Sequence, residues 1–165
     1  MAERPPVVWR LKAAGWAFDS LQRDCGIMED CTFCKVANGK LPSFKIYDDG
    51  RYVAVMDLFP SRRGQTLVIP KRHVDSYIFK MSDKEIADFM VAVKRVARLL
   101  ERGLGVERVS MIFEGAEVNH LHAKLYPIDV SNYRMGQVYI SPPPKGRADD
   151  EYLKELMERI KKANG

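Results

Sequence analysis

The sequence predicts an α+β fold in which five short strands form a sheet and one long helix packs against it. Several short segments carry β-branched and aromatic residues between turn signals, whereas one long segment has apolar residues at helical spacing. A chain of 165 residues that is 46% hydrophobic can bury one core. We expect one domain over residues 31–130, a helical extension over 1–30, and a loop and C-terminal helix over 131–165 that pack on the same domain.

The extension is predicted to contain a short amphipathic helix. Trp9, Ala13, Trp16 and Ala17 fall at positions i, i+4, i+7 and i+8, which places them on one face of a helix. Such a stripe usually packs against the core of its own domain, and a dedicated partner site is the alternative.

The first three strands are predicted from their composition and their turns. Residues 44–47 and 52–56 are rich in aromatic and β-branched side chains, and Asp49-Gly50 between them is a strong hairpin signal. Residues 64–70 form a third run of this kind, which ends at its proline.

The long helix follows these strands. Ser82 and Glu85 have the spacing of a capping box, and apolar residues keep helical spacing from there to Gly103. Residues 108–113 predict a fourth strand. A charged helix near the end of the chain has an apolar stripe of Leu153, Leu156, Met157 and Ile160.

Two of the three histidines lie in the predicted fifth strand. Polar and apolar residues alternate from His120 onward, so His120, His122 and Lys124 would project from one face. Neighbours on that face are roughly 6–7 Å apart, which is the reach of one phosphate-sized ligand. An ordinary strand with a solvated polar face is the alternative.

The charge and the compartment signals favour a small anionic ligand. The net charge is +5, but the basic residues are dispersed, which suits a nucleotide phosphate better than a nucleic-acid duplex. No segment is long and apolar enough to cross a membrane, and we see no secretory signal, so we expect a cytoplasmic protein without a membrane partner. Three cysteines then indicate metal binding or free thiols rather than disulfides.

Cys31 and Cys34 form a Cys-x-x-Cys motif, which supplies half of a tetrahedral metal shell. If the strands form an antiparallel meander, His73 and His120 can approach this motif and complete a Cys2His2 zinc site. With four protein ligands the zinc would be structural, because no position is left for an activated water. Alternatively, the cysteines are core residues and His73 lies on a surface loop.

Four ordered blocks between Cys31 and Tyr126 carry a resemblance to a known family. They are Cys-Thr-Phe-Cys-Lys, Val-Met-Asp-Leu, Gly-Gln-Thr-Leu-Val-Ile-Pro-Lys-Arg-His and His-Leu-His. With them the chain resembles the histidine triad (HIT) family, in the zinc-binding branch of small nucleotide hydrolases. The resemblance implies a five-stranded antiparallel sheet with one long helix, and a homodimer, which the two terminal apolar stripes also favour. It implies zinc ligands at Cys31, Cys34, His73 and His120.

The resemblance also implies a nucleoside monophosphate site. Its base and ribose positions match Phe33, Val36, Val55, Asp57 and Leu58. An aromatic and aliphatic slot suits a base, and one carboxylate can accept hydrogen bonds from both ribose hydroxyls. The alternative for Asp57 is an aspartate that only initiates the turn before Pro60.

The family nucleophile matches His122, whereas the third histidine of the triad is replaced by Lys124. A lysine stays charged at neutral pH, so it can neutralise phosphate oxygens but does not readily exchange a proton. Glu117 replaces a neutral donor of the family and adds a carboxylate near the phosphate position. We therefore expect a nucleotide hydrolase or nucleotidyltransferase that forms a nucleotidyl-histidine at the α-phosphate. The alternative is a zinc-stabilised nucleotide-binding or interaction module without turnover.

Overall fold

One five-stranded antiparallel sheet organises the computed structural model, which describes residues 30–132 and 146–165. The helix predicted within residues 1–30 lies outside these ranges, as does most of the predicted loop after residue 132. The strands are β1 (Lys45–Asp48), β2 (Tyr52–Met56), β3 (Thr66–Pro70), β4 (Arg108–Ile112) and β5 (Ala123–Ile128). The prediction of five antiparallel strands is confirmed, with boundaries that shift by one or two residues at most strands and by three at the start of the fifth.

The strand order is β1-β2-β3-β5-β4, so the sheet is not the simple meander considered from the sequence. After β3 the chain passes through the long helix, enters the sheet at its edge as β4 and returns as β5 beside β3. Leu67 in β3 therefore pairs with Lys124 in β5. This order brings the segment that leads into β5 next to the end of β3.

The long helix α2 (Asp83–Leu104) begins and ends as the capping signals predict. Ser82 and Glu85 form both bonds of the capping box, and Gly105 ends the helix with a φ of 69°. Gly105 rather than Gly103 is thus the terminating glycine. The buried side chains of α2 include Phe89, Val96 and Leu100, which join the main core under the sheet.

The C-terminal helix α3 (Asp150–Lys162) packs on α2 through the predicted apolar stripe. Leu153, Leu156 and Ile160 are buried, and Met157 is partly buried against the same core. A Cβ at Gly103 would lie 2.6 Å from the Cα of Ile160, so the two helices approach closely at this glycine. Among the described helices, none is both long and apolar enough to span a membrane.

A second apolar cluster covers the other face of the sheet. The short helix α1 (Thr32–Ala37) places Phe33, Val36 and Ala37 against side chains of β2 and β3. With both faces covered, every residue of β2 and β3 is buried. The segment that contains His120 and His122 leads directly into β5 of this sheet.

Candidate metal centre and active site

The four predicted metal ligands lie together, although they come from three separate parts of the chain. Cys31 and Cys34 lie at the start of α1, His73 follows β3, and His120 precedes β5. Their ligand atoms all lie within 4.8 Å of one another, and Cys34 and His120 are buried. Because β5 pairs with β3, the sheet topology itself brings His120 beside the loop that carries His73.

His120 is oriented so that one nitrogen faces the thiols. Its Nε2 lies 2.9 Å from the carbonyl oxygen of Pro70, and only an N–H can donate to a carbonyl. The lone pair is therefore on Nδ1, which lies 3.3 Å from Cys31 Sγ and 3.4 Å from Cys34 Sγ. Burial lowers the pKa of His120 to about 4, which keeps the imidazole neutral as a metal ligand requires.

The spacing of the cluster fits a tetrahedral ion. Zinc with bonds of about 2.3 Å to sulfur and about 2.1 Å to nitrogen separates these two atoms by about 3.6 Å. The observed separations include 3.5 Å between Cys34 Sγ and His73 Nδ1, besides the two to His120. The backbone carbonyl of Pro70 supplies the outer hydrogen bond that metal-bound histidines usually make. The cluster can therefore hold a metal ion, and two thiols with two imidazoles are a donor set that zinc prefers.

Asn38 joins two of the segments that carry the ligands. Its Nδ2 donates to the carbonyl of Cys34 at 2.9 Å and to the carbonyl of Lys71 at 3.0 Å. Asn38 thus connects the end of α1 to the loop that leads to His73. These two hydrogen bonds help to hold the cysteine motif close to His73.

His122 uses its nitrogens in the opposite way from His120. Its Nδ1 lies 2.8 Å from the backbone carbonyl of His120, so Nδ1 carries the proton and Nε2 has the lone pair. His122 is 5% exposed, and its ring lies at a steep angle to the ring of Phe33 with 4.9 Å between the ring centroids. Burial lowers the pKa of His122, so its nucleophilic form is the major one at neutral pH.

Lys124 forms an ion pair that the sequence did not predict. Its Nζ contacts the carboxylate of Glu114, which precedes Gly115 in the β4–β5 connection. Burial opposes the charge on Lys124, but the hydrogen bond and the charge of Glu114, together with the charges of Tyr126 and Glu117, raise the pKa of the lysine. Lys124 is therefore a fixed cation beside His122. Glu117 is exposed and does not take this place.

A small cavity of about 90 Å³ opens at this point of the molecule. It is lined by Glu114, Gly115, Ala116, Glu117, His122 and Lys124. The predicted nucleophile and the predicted phosphate clamp thus share one cavity with two carboxylates. A phosphoryl group that enters it would meet both His122 and Lys124.

Asp57 is held in place by Gln65 and by its own turn. One carboxylate oxygen accepts the backbone N–H of Phe59 at 2.9 Å, and the other accepts Nε2 of Gln65 at 2.5 Å. Gln65 is 4% exposed, and its Oε1 accepts bonds from the N–H and hydroxyl of Ser61. Asp57 thus does cap the turn that follows β2, as the alternative interpretation of this residue predicted. Each carboxylate oxygen still has a lone pair for a ligand.

The predicted nucleoside positions fall into two groups. Phe33, Val36 and Val55 share the apolar cluster under α1, close to His122. Leu58 instead packs against the main core. The structure therefore brings together three of the proposed slot residues, and places Leu58 in a different layer.

Sequence reasoning missed Glu114 and the role of Gln65. Gln65 lies in a motif that carried the family resemblance, so its position gave a signal, but its bond to Asp57 spans eight residues. Glu114 lies ten residues from Lys124, and only the β4–β5 pairing brings the two together. No local pattern indicates such a pair.

Comparison with known proteins agrees with this architecture. A model of the HIT domain matches residues 38–127. An uncharacterized HIT-like protein of Methanocaldococcus jannaschii is 33% identical over 131 residues, which are 76% of this chain and 98% of that protein. The adenosine 5'-monophosphoramidase of Schizosaccharomyces pombe is 29% identical over 135 residues, which are 79% of this chain and 95% of that enzyme.

A solved structure has the same fold together with a metal. A zinc-bound histidine triad family protein from Mycobacterium smegmatis matches with a TM-score of 0.61 and 26% identity. The match covers 84% of this chain and 94% of that one.

Proposed function

This chain belongs to the HIT-domain family, and we propose that it is a nucleotide hydrolase or nucleotidyltransferase that acts at the α-phosphate through a nucleotidyl-histidine intermediate. One observation carries the proposal. The bond from His122 Nδ1 to the carbonyl of His120 leaves the lone pair on Nε2, and His122 lines a cavity together with Lys124. A neutral, oriented imidazole beside a fixed cation is what attack on a phosphorus atom requires.

The reaction would proceed in two displacements. Nε2 of His122 forms a bond to the α-phosphorus while the bond to the leaving group breaks. Water or another acceptor then attacks the phosphorus, breaks the P–N bond and restores the imidazole. Lys124 would neutralise phosphate oxygens in both steps, because its charge is held in place by Glu114.

The nucleoside would lie between α1 and the loop after β2. Phe33, Val36 and Val55 offer an apolar surface beside His122, and the base would pack there. Asp57 would accept the ribose hydroxyls, because Gln65 and the backbone of Phe59 already hold its carboxylate. Leu58 would at most border the slot, since it packs against the main core.

We propose that Cys31, Cys34, His73 and His120 hold one structural zinc ion. Zinc with four protein ligands supplies folding energy and keeps no open position for water. The contact between Cys34 and His73 and the donor set support this assignment. The zinc-bound relative from M. smegmatis is consistent with it.

A binding or interaction module without turnover is the second candidate. The observation that favours it is the Glu114–Lys124 ion pair, which occupies the cation and replaces the third histidine with a group that holds its proton firmly. In such a module the nucleotide would bind at the same slot. The two candidates differ only in whether the phosphorus bond is broken.

Turnover of a substrate panel separates the two candidates. The panel contains an adenosine 5'-phosphoramidate and a dinucleoside polyphosphate, and the readout is release of nucleoside monophosphate. We expect His122→Ala to abolish release while zinc content and nucleotide affinity stay near those of the natural protein. Binding without release by the natural protein would favour the module.

His122→Asn is a matched variant for this experiment. The asparagine amide can still donate to the carbonyl of His120, but it has no lone pair in the place of Nε2. It should therefore fold like the natural protein and still release nothing. Full activity in either variant would refute the nucleotidyl-histidine. A trapped adduct should map to His122 and be labile to acid.

A further inference from the structure

Two carboxylates line the cavity at His122, although a polyphosphate leaving group would bring negative charge there. Glu114 and Glu117 are separated by two residues of the β4–β5 connection, and both side chains border the cavity. Lys124 is the one cation among the six lining residues. With one positive and two negative groups, this lining has a net charge of −1.

The cation of this lining is already paired. Lys124 contacts Glu114, and its side chain is 19% exposed. Within residues 30–132 and 146–165, Glu117 forms no ion pair, although its charge helps to raise the pKa of Lys124. The charge of Glu117 is therefore the uncompensated one within this lining.

The cavity with these carboxylates lies apart from the proposed nucleoside slot, so its charge would act on the leaving group. The proposed nucleoside slot lies at Phe33, Val36, Val55 and Asp57, and none of these residues lines the cavity. His122 both contacts Phe33 and borders the cavity, so it lies where the slot and the cavity meet. A nucleotide that places its α-phosphorus at His122 would extend its remaining group past Glu114 and Glu117.

We infer that Glu114 and Glu117 select leaving groups by their charge, so that among substrates with the same scissile bond a cationic leaving group is favoured over a neutral one and a neutral one over an anionic one. The inference rests on the proposed function. It assigns a specificity role to two residues that neither hold the nucleoside nor attack the phosphorus.

The reaction balances with water as the second substrate. Nε2 of His122 forms a bond to phosphorus, and the P–N bond of the phosphoramidate breaks with its electron pair on the leaving amine. The amine takes up one proton from solvent. Water then attacks the phosphorus, releases Nε2 and returns one proton to solvent. The products are the nucleoside monophosphate and the free amine.

Three substrates of similar length whose terminal groups differ in charge test the inference, and the comparison of each variant with the natural protein cancels the differences in leaving-group basicity. They are the phosphoramidates of AMP with 1,3-diaminopropane, propylamine and β-alanine, which end in an ammonium, a methyl and a carboxylate group. We expect kcat/KM to fall in that order. The ratio of the ammonium to the carboxylate substrate should fall roughly tenfold in Glu117→Gln, because one charge at a solvated site contributes about this much.

Glu107→Gln is the matched control. Glu107 is an exposed carboxylate just before β4, at the end of that strand far from Ile112 and Lys124, so its removal changes the net charge equally. This variant should leave the ratio unchanged. Glu114→Gln should also lower the ratio, but it frees Lys124 as well. Glu117→Gln is therefore the cleaner variant. Raised salt should compress the ratio in the natural protein.

The outcomes separate this inference from the proposed function. Suppose that the natural protein cleaves all three substrates at equal rates and that His122→Ala cleaves none. This result would overturn only the selection by charge and would leave the proposed function standing. An unchanged ratio in both Glu114→Gln and Glu117→Gln does the same. Absence of turnover on every substrate overturns both proposals.

Discussion

At the scale of single residues, two histidines of one short segment have opposite orientations. His120 donates from Nε2 to Pro70 and turns Nδ1 to the thiols, whereas His122 donates from Nδ1 and keeps the lone pair on Nε2. The partner of one nitrogen determines the tautomer of the other. The carbonyl of Pro70 therefore fixes His120 in the tautomer of a metal ligand, and the carbonyl of His120 fixes His122 in the tautomer of the proposed nucleophile.

Lys124 is the position where a single substitution should change the chemistry. Lys124→Ala removes the cation and leaves Glu114 unpaired, so we expect the dissociation constant of AMP to rise about tenfold. Lys124→His restores a group that can exchange a proton near neutral pH. It should raise kcat on substrates whose leaving group must be protonated, and this is measured by steady-state kinetics.

The control for this pair is a substrate whose leaving group needs no proton. On that substrate Lys124→His should give no gain, because proton donation does not limit its cleavage. An equal gain on both kinds of substrate would contradict the electrostatic role of Lys124. Unchanged AMP affinity in Lys124→Ala would contradict it as well.

At the scale of elements, the packing of α3 on α2 depends on one glycine. Glycine inside a helix normally costs stability, so Gly103→Ala at an open site would be favourable. Here the new Cβ would lie 2.6 Å from the Cα of Ile160, which is backbone and cannot turn away. We expect Gly103→Ala to lower the free energy of unfolding by about 1–3 kcal/mol, measured by urea denaturation.

Val91→Ala is a suitable control on the same helix. Val91 is 49% exposed and lies outside the buried face of α2, so its truncation should change the free energy of unfolding by less than about 0.5 kcal/mol. A stabilising effect of Gly103→Ala would show that α3 can shift away from α2 without cost.

At the scale of the whole molecule, the metal cluster connects segments that are far apart in sequence. The contact between Cys31 and His120 spans 89 residues, and the cluster joins α1, the loop after β3 and the segment before β5. Chelation of one zinc ion per chain should therefore lower the melting temperature by roughly 10 °C or more. Metal analysis and a thermal scan with and without chelator measure this.

Cys31→Ser should reproduce the effect of chelation, and Cys25→Ser, at the third cysteine of the sequence, which is not one of the four predicted ligands, is the matched control. Protein purified without chelators that contains no metal would refute the zinc site. A melting temperature unchanged by Cys31→Ser would refute it too.

The homodimer stays a prediction from the family resemblance. One reason given for it from the sequence no longer applies, because the stripe of α3 is buried against α2 within the same chain. The described part of the sheet does end at β4, an edge strand whose Met111 is 44% exposed. Light scattering at micromolar concentration should give twice the mass of one chain, and a monomer would contradict the prediction.

Several elements of this fold could be predicted because their signals are local. The capping box of α2 and the Asp49-Gly50 turn each act over a few residues, and each predicted its element. The alternation from His120 also predicted a strand, but β5 begins only at Ala123, so neither histidine lies within it. The four proposed metal ligands were also found in the sequence, since their residue types and their order matched a known pattern.

Only the tertiary structure decided what pairs across the sheet. The order β3-β5-β4 follows from the passage of the chain through α2, and no local pattern specifies the edge at which it re-enters the sheet. That order places Glu114 against Lys124, and the turn after β2 places Gln65 against Asp57. Polar pairs of this kind have no periodicity in the sequence, because only the folded path of the chain brings their polar groups within hydrogen-bond range.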